Sequence, residues 1–356
     1  MISGWLARME GHRALPRLRS LALRLGSWGL LAASGEAAWA QAIVPPTPSV
    51  AQTPPMGALA DPGPTSWIRS APGPLSGKLA AACQAAGNAW PAGWTFFEAA
   101  LVASGVEDAH ELRRWAGEYA PRRDGIVQTV LQEPPENRAA RLHERMHASL
   151  LNGPYVRTAS DLRQTLRDGS HNCLTAVAFF WDLGQAAGLS MEIWTRPGHA
   201  YLKLHSEGGP VPWEPGMPLA RGVLVAQPAA LDTGTADKSS AARQMPASKT
   251  LTGFLPPSRA LTARQFLGRF YYNRAVEQLQ AGQYRDALRL LSMSLTLDPA
   301  DADARQNYLA GLNNWAVASW RRGEVALAAQ LIELGLKLEP TYGPLRANQR
   351  LLERKF

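Results

Sequence analysis

Asn172-Cys173-Leu174-Thr175-Ala176-Val177-Ala178-Phe179-Phe180-Trp181-Asp182-Leu183, closed by Ala187-Gly188-Leu189, is the stretch that decides the fold. Asn172 has the short polar side chain that caps a helix start, and Gly188 supplies the stop. Between them the side chains are apolar on nearly every face, so a helix from Cys173 to Ala187 is expected to be buried. Downstream, Ser190 to Arg196, His199 to His205 and Val211 to Trp213 have the alternation and aromatic content of a small antiparallel sheet. Upstream, helical spacing recurs over Gly77 to Ala86, Trp94 to Ala103, Ala109 to Glu118 and Glu136 to Leu151. Thr158-Ala159-Ser160-Asp161 then opens a short helix ending at Gly169. Helices first and strands after predict an α+β unit over 76–219, its sheet packed on the central helix.

The same stretch carries the chemistry. A cysteine in the first turn of a buried helix feels the positive end of the helix dipole, which favours thiolate over thiol, and Cys173 has that position. An imidazole within reach would hold the thiolate as an ion pair and pass a proton to a leaving group. His199, on the strand after the Arg196-Pro197-Gly198 turn, can face the helix start. A carboxylate at the imidazole's other nitrogen would fix its orientation, and Glu214 stands in Val211-Pro212-Trp213-Glu214-Pro215 on the neighbouring strand. Taken singly, each has an ordinary reading as a buried thiol, a satisfied core histidine or a solvated turn acid. Their joint pattern is what favours catalysis.

From Asn137 to Pro215 the chain resembles the core of the papain-like transglutaminase-like superfamily. The resemblance rests on a helix, a linker helix, a Gly then Cys173 opening the central helix, the Ala187-Gly188-Leu189 bend, a strand, His199-Ala200 and a Trp213-Glu214-Pro215 close. The forms Asn172-Cys173-Leu174-Thr175 and Pro197-Gly198-His199-Ala200 are nearest to bacterial members that carry C-terminal tetratricopeptide repeats. It implies that Cys173 is nucleophile, His199 base and acid, and Glu214 the residue orienting His199. The implied activity is thiol-dependent acyl transfer on an amide or peptide substrate, without a cofactor. The acid is Glu where the family more often has Asp, and the second oxyanion donor beside the Cys173 amide has no assignment in the sequence.

Beyond this unit lies an internal repeat. At a shift of 41 residues, Ala275 matches Ala316, Gly282 matches Gly323, Ala287 matches Ala328, Leu290 matches Leu331 and Pro299 matches Pro340. Small residues at Ala275, Gly282 and Ala287 are expected to let two antiparallel helices approach, and Asp298-Pro299 and Glu339-Pro340 to stop the second helix of each pair. The pattern resembles the tetratricopeptide repeat, with a period longer than the usual ~34 residues. It implies an all-α array over 261–356, two repeats plus a closing helix Leu345 to Arg354, contacting a protein or peptide partner.

The remaining segments and the overall charge set the boundaries. Residues 1–40 have a basic stretch, an apolar run from Leu25 to Ala33 and Ala38-Trp39-Ala40 before Gln41, the layout of a secretory signal, so a periplasmic or secreted protein is expected. That run is about half the ~20 residues of a spanning helix, and no membrane span is expected in the mature chain. Residues 41–75 are Pro-rich and 220–260 are dominated by Ser, Thr, Ala, Gly and Pro; both read as linkers. Part of the net charge of +8 sits in residues 1–40, and the remainder is spread out without aromatic interleaving, which argues against nucleic acid. Cys83 and Cys173 could pair in an oxidising compartment. His143-Glu144-Arg145-Met146-His147 matches a zinc-hydrolase motif but lacks a third ligand, and Arg145 is out of keeping with it, so no metal is expected. His171 reads as a surface residue near the site. The alternative to an enzyme is a non-catalytic periplasmic adaptor, a degenerate transglutaminase-like shell carrying a peptide-binding repeat groove.

Overall fold

Among the described residues, six helices precede the sheet: α1 (Pro74–Ala86), α2 (Phe96–Ser104), α3 (Ala109–Leu131), α4 (Pro135–Ser149), α5 (Leu162–Asp168) and α6 (Cys173–Ala186). The strands are β1 (Met191–Arg196), β2 (His199–Ser206), β3 (Gly209–Trp213) and β4 (Arg259–Leu261), in the order β3-β2-β1-β4 with every pair antiparallel. Five helices follow, α7 (Ala263–Gln280), α8 (Tyr284–Leu297), α9 (Ala302–Arg321), α10 (Val325–Leu338) and α11 (Gly343–Glu353). The architecture is α+β, mostly helical with one small sheet. The computed structural model describes residues 68, 70–218 and 258–353. The expected signal at 1–40, most of the 41–75 linker and all but the end of the 220–260 linker lie outside them.

The nearly uniform apolarity of α6 has the consequence expected of it. Leu174, Ala176, Val177, Phe179, Phe180 and Leu183 are all buried. Each fully buried phenylalanine is worth about 2 kcal/mol in area removed from water. One face of α6 meets β1 and β2, and its other sides meet α2, α3 and α4. Strand β1 alternates as its sequence does, with Met191, Ile193 and Thr195 turned inward.

Helix α3 runs on to Leu131, well past the expected end at Glu118, and carries Pro121 in its interior. A mid-helix proline costs about 3 kcal/mol. Burial of Trp115, Tyr119, Ile126, Val127 and Val130 along one face of α3 outweighs it.

The last five helices pack chiefly as α7 with α8, α9 with α10 and α8 with α9; α11 lies against α10, and α7 also lies on α2. Gly282 serves differently from the expectation of close helix approach, and its repeat match Gly323 takes the same place. Both sit in the tight links that follow α7 and α9, with φ of 72° and 81°, a left-handed backbone that favours glycine. Polar ties bind this part to the first. Tyr271 Oη lies 2.8 Å from Ser76 Oγ, and Arg274 Nη1 donates to the Ala103 carbonyl at 3.0 Å. Buried Asp298, at the end of α8, accepts from the Arg259 guanidinium of β4 and from Gln265 Nε2 at 3.2 Å. Arg259 and Ala260 were expected to close a linker; they form the sheet's fourth strand instead, Trp194 pairing with Ala260. Among the described residues, no helix is long and apolar enough to cross a membrane.

Candidate functional site

Cys173 is the first residue of α6, and the local sequence puts it there. The Asn172 side chain accepts from the Thr175 amide at 3.0 Å while Thr175 Oγ1 accepts from the Asn172 amide at 3.0 Å, a reciprocal cap. The cap stops the helix at Asn172 and turns Cys173 toward the sheet with its first-turn dipole. Asn172 Nδ2 also donates to Ser160 Oγ at 2.9 Å, and Ser160 Oγ accepts from Asn273 Nδ2 of α7 at 3.0 Å. The start of the cysteine helix is thereby tied to the C-terminal helices.

His199 opens β2, opposite Arg196 of β1. Its Nε2 donates to Glu214 Oε2 at 2.8 Å, and Glu214 follows directly on Trp213, which pairs with Leu202. With Nε2 committed to Glu214, Nδ1 is the ring nitrogen left for Cys173, to which His199 is also hydrogen-bonded. Arg196 Nη2 stands 4.0 Å from the other Glu214 oxygen. The structure therefore brings Cys173, His199 and Glu214 into one chain of contacts.

The electrostatics follow from that chain. Burial alone would push the Cys173 thiol up, but the His199 hydrogen bond and charge, the Ala200 amide and the Tyr155 hydroxyl outweigh it and hold it below its ordinary value. Burial pulls His199 down, yet the thiolate and Glu214 lift it to about 9. Both shifts point toward the thiolate–imidazolium form of the pair. Cys83, by contrast, lies buried in α1 with its thiol pushed up by burial, and both cysteines are free.

Tyr155 is the residue that sequence reasoning missed. Its hydroxyl hydrogen-bonds Cys173, and burial together with the cysteine's charge pushes its pKa up to about 12. Half of its surface is nevertheless open to solvent. It is placed by Gly153, where a Cβ would come within 2.4 Å of the Asp168 carbonyl; only glycine lets the 152–156 segment run against 168–171. The Val156 amide then donates to the His171 carbonyl at 2.8 Å, and the His171 amide to the Pro154 carbonyl at 3.2 Å. No periodicity signals this, and the sole cue is the Gly153-Pro154 turn before an aromatic residue.

His171 is buried, not on the surface. Its ring lies between carbonyls, Nδ1 3.0 Å from Gly169 O and Nε2 3.3 Å from Gly216 O. In the zinc-like motif, His143 and His147 share one face of α4 with stacked rings 4.6 Å apart. Their Nε2 atoms, however, donate to the Met217 and Pro215 carbonyls, and exposed Glu144 pairs with Arg141 at 2.8 Å. Both Nε2 atoms are thus committed to backbone carbonyls.

Comparison of the chain with protein-family models, with curated proteins and with solved structures gives no match.

Proposed function

We propose that this protein performs thiol-dependent acyl transfer on an amide, as a peptidase, amidase or cross-linking enzyme, through Cys173, His199 and Glu214. The observation that carries the reading is the contact chain from a cysteine at a helix start, through His199, to a carboxylate 2.8 Å from Nε2. The resemblance of 137–215 to the transglutaminase-like core supports it.

In this reading the Cys173 thiolate attacks the amide carbonyl, forming a carbon–sulfur bond and moving the carbonyl π electrons onto oxygen. Protonated His199 then gives its proton to the departing nitrogen as the carbon–nitrogen bond breaks, leaving a thioester on Cys173 and a free amine. Water or a second amine attacks the thioester, His199 takes its proton, and the carbon–sulfur bond breaks, releasing the acid or new amide and returning the Cys173 thiolate beside protonated His199. Glu214 keeps Nε2–H engaged, so that Nδ1 does the proton transfer and the imidazolium is stabilised. The Tyr155 hydroxyl, already on the sulfur, is the second oxyanion donor beside the Cys173 amide. The helices α7–α11 act as a tetratricopeptide-like array that binds a protein or peptide partner, and the chain works after export, in the periplasm or outside the cell.

The test is the rate of iodoacetamide alkylation of Cys173 against pH, in protein carrying Cys83→Ala, with and without His199→Ala. Reactivity that persists well below pH 8 and disappears without His199 is the expected result. An ordinary thiol profile in both proteins would reject the enzyme and leave a non-catalytic adaptor.

A further inference from the structure

His143 and His147 take no part in the chemistry above, yet both are committed side chains. His143 Nε2 donates to the Met217 carbonyl at 2.7 Å and His147 Nε2 to the Pro215 carbonyl at 2.8 Å. His171, from another segment, brings its Nε2 within 3.3 Å of the Gly216 carbonyl between them. Three imidazoles thus serve three successive carbonyls, and these belong to the residues directly after Glu214. The Met217 amide closes the turn on the Glu214 carbonyl at 3.2 Å.

The rings also brace one another. His143 and His147 are stacked, His171 meets His147 edge-on at 5.8 Å, and buried Trp213 meets His143 edge-on at 5.5 Å. Gly216 lies against the start of α6 and Tyr155, where an added Cβ would stand 3.5 Å from Ala176 Cβ and 3.6 Å from the Tyr155 ring. Without these rings, the carbonyls facing α4 and the 169–171 segment would lose the polar partners they have within the fold. His143 Nδ1 is buried with no partner, a cost that an aliphatic side chain at this position would avoid. A ring that keeps one nitrogen dry in order to present the other is explained by the hydrogen bond it makes.

We propose that His143, His147 and His171 are positioning residues that clasp the Glu214–Met217 turn and so hold the Glu214 carboxylate on His199 Nε2. The proposal rests on the Cys-His-Glu reading of the site. Burial keeps His147 below its ordinary pKa and brings His143 down to about 4, so both rings are neutral N–H donors at neutral pH. The titratable and charged groups facing the clasped turn are these three histidines and Tyr155, with Arg196 and His199 on the Glu214 side.

The experiment follows the His199 imidazole by nitrogen NMR as a function of pH in the full chain. Parent protein is compared with His147→Leu, which removes the donor, and His147→Gln, whose amide nitrogen reaches the place of Nε2. In His147→Leu the His199 titration falls by about one pH unit, and His147→Gln restores it. His147→Leu combined with Glu214→Gln falls no further than Glu214→Gln alone, because the histidine acts through that carboxylate. If His147→Leu does not fold, His147→Gln against His147→Asn carries the same comparison, since the shorter amide reaches only the place of Nδ1. A His199 titration unchanged in His147→Leu, or in His147→Asn where that pair is used, overturns the proposal, as does a full additive fall in the double variant. Failure of the enzyme reading is seen separately: it leaves Cys173 an ordinary thiol in the parent while the His199 titration still reports on the clasp.

Discussion

Replacing Glu214 by Gln isolates the charge in the contact chain, because the amide oxygen can still accept the Nε2 hydrogen bond. The carboxylate lies 2.8 Å from Nε2. At an effective dielectric of about 20 that separation corresponds to about 6 kcal/mol. The Glu214 side chain is 38% exposed and His199 25%, so water screens most of it. About 1–2 kcal/mol remains, or about one pH unit. His199, held at about 9 in the parent, should therefore titrate at about 8 in Glu214→Gln. The sign of the stability effect follows from the same shift. A histidine whose folded pKa exceeds its unfolded value of about 6.5 stabilises fully below 6.5, and the contribution is lost as pH rises through 9. Glu214→Gln should thus cost about 1–2 kcal/mol in urea unfolding at pH 6 and little at pH 10. An unchanged His199 titration, or an equal cost at the two pH values, would refute the argument that the carboxylate's charge holds the imidazolium.

Tyr155→Phe removes only a hydroxyl. Alkylation of Cys173 near neutral pH should stay within a few-fold of the parent, while acylation of the thiol by an amide or activated ester falls about a hundredfold; equal losses in the two assays would deny Tyr155 an oxyanion role. Asn172→Ala should lower stability by about 1–2 kcal/mol, since it deletes the cap of α6 together with the bond to Ser160, and thermal melts report it. His143, buried and depressed to about 4, stays neutral in the folded chain while the unfolded chain binds its proton near 6.5. Its contribution is present above about pH 6.5 and lost as pH falls toward 4, by about 3 kcal/mol, and His143→Gln should flatten that acid limb in a denaturation series.

Local periodicity is legible wherever contiguous residues carry it. Asn172 before a uniformly apolar run, the alternation of Met191 to Arg196 and the shift of 41 between Ala275 and Ala316 each signal an element without reference to the rest of the chain. That is why an α+β unit followed by helices could be read from the sequence, and why Cys173, His199 and Glu214 could be named as candidates from their places at a helix start, a strand start and a strand end. Tertiary structure decided what depends on distant approach. Pro121 stays inside a helix because Trp115 and Ile126 are buried against the core, a gain invisible in the local propensity. Tyr155 reaches the sulfur because Gly153 lets one backbone lie against another. His171 is buried, and the two histidines of the zinc-like motif turn to carbonyls, because the segment after Glu214 is laid across α4. Sequence spacing encodes which face of an element a residue occupies, whereas the partner that face meets is set by packing among elements far apart in the chain.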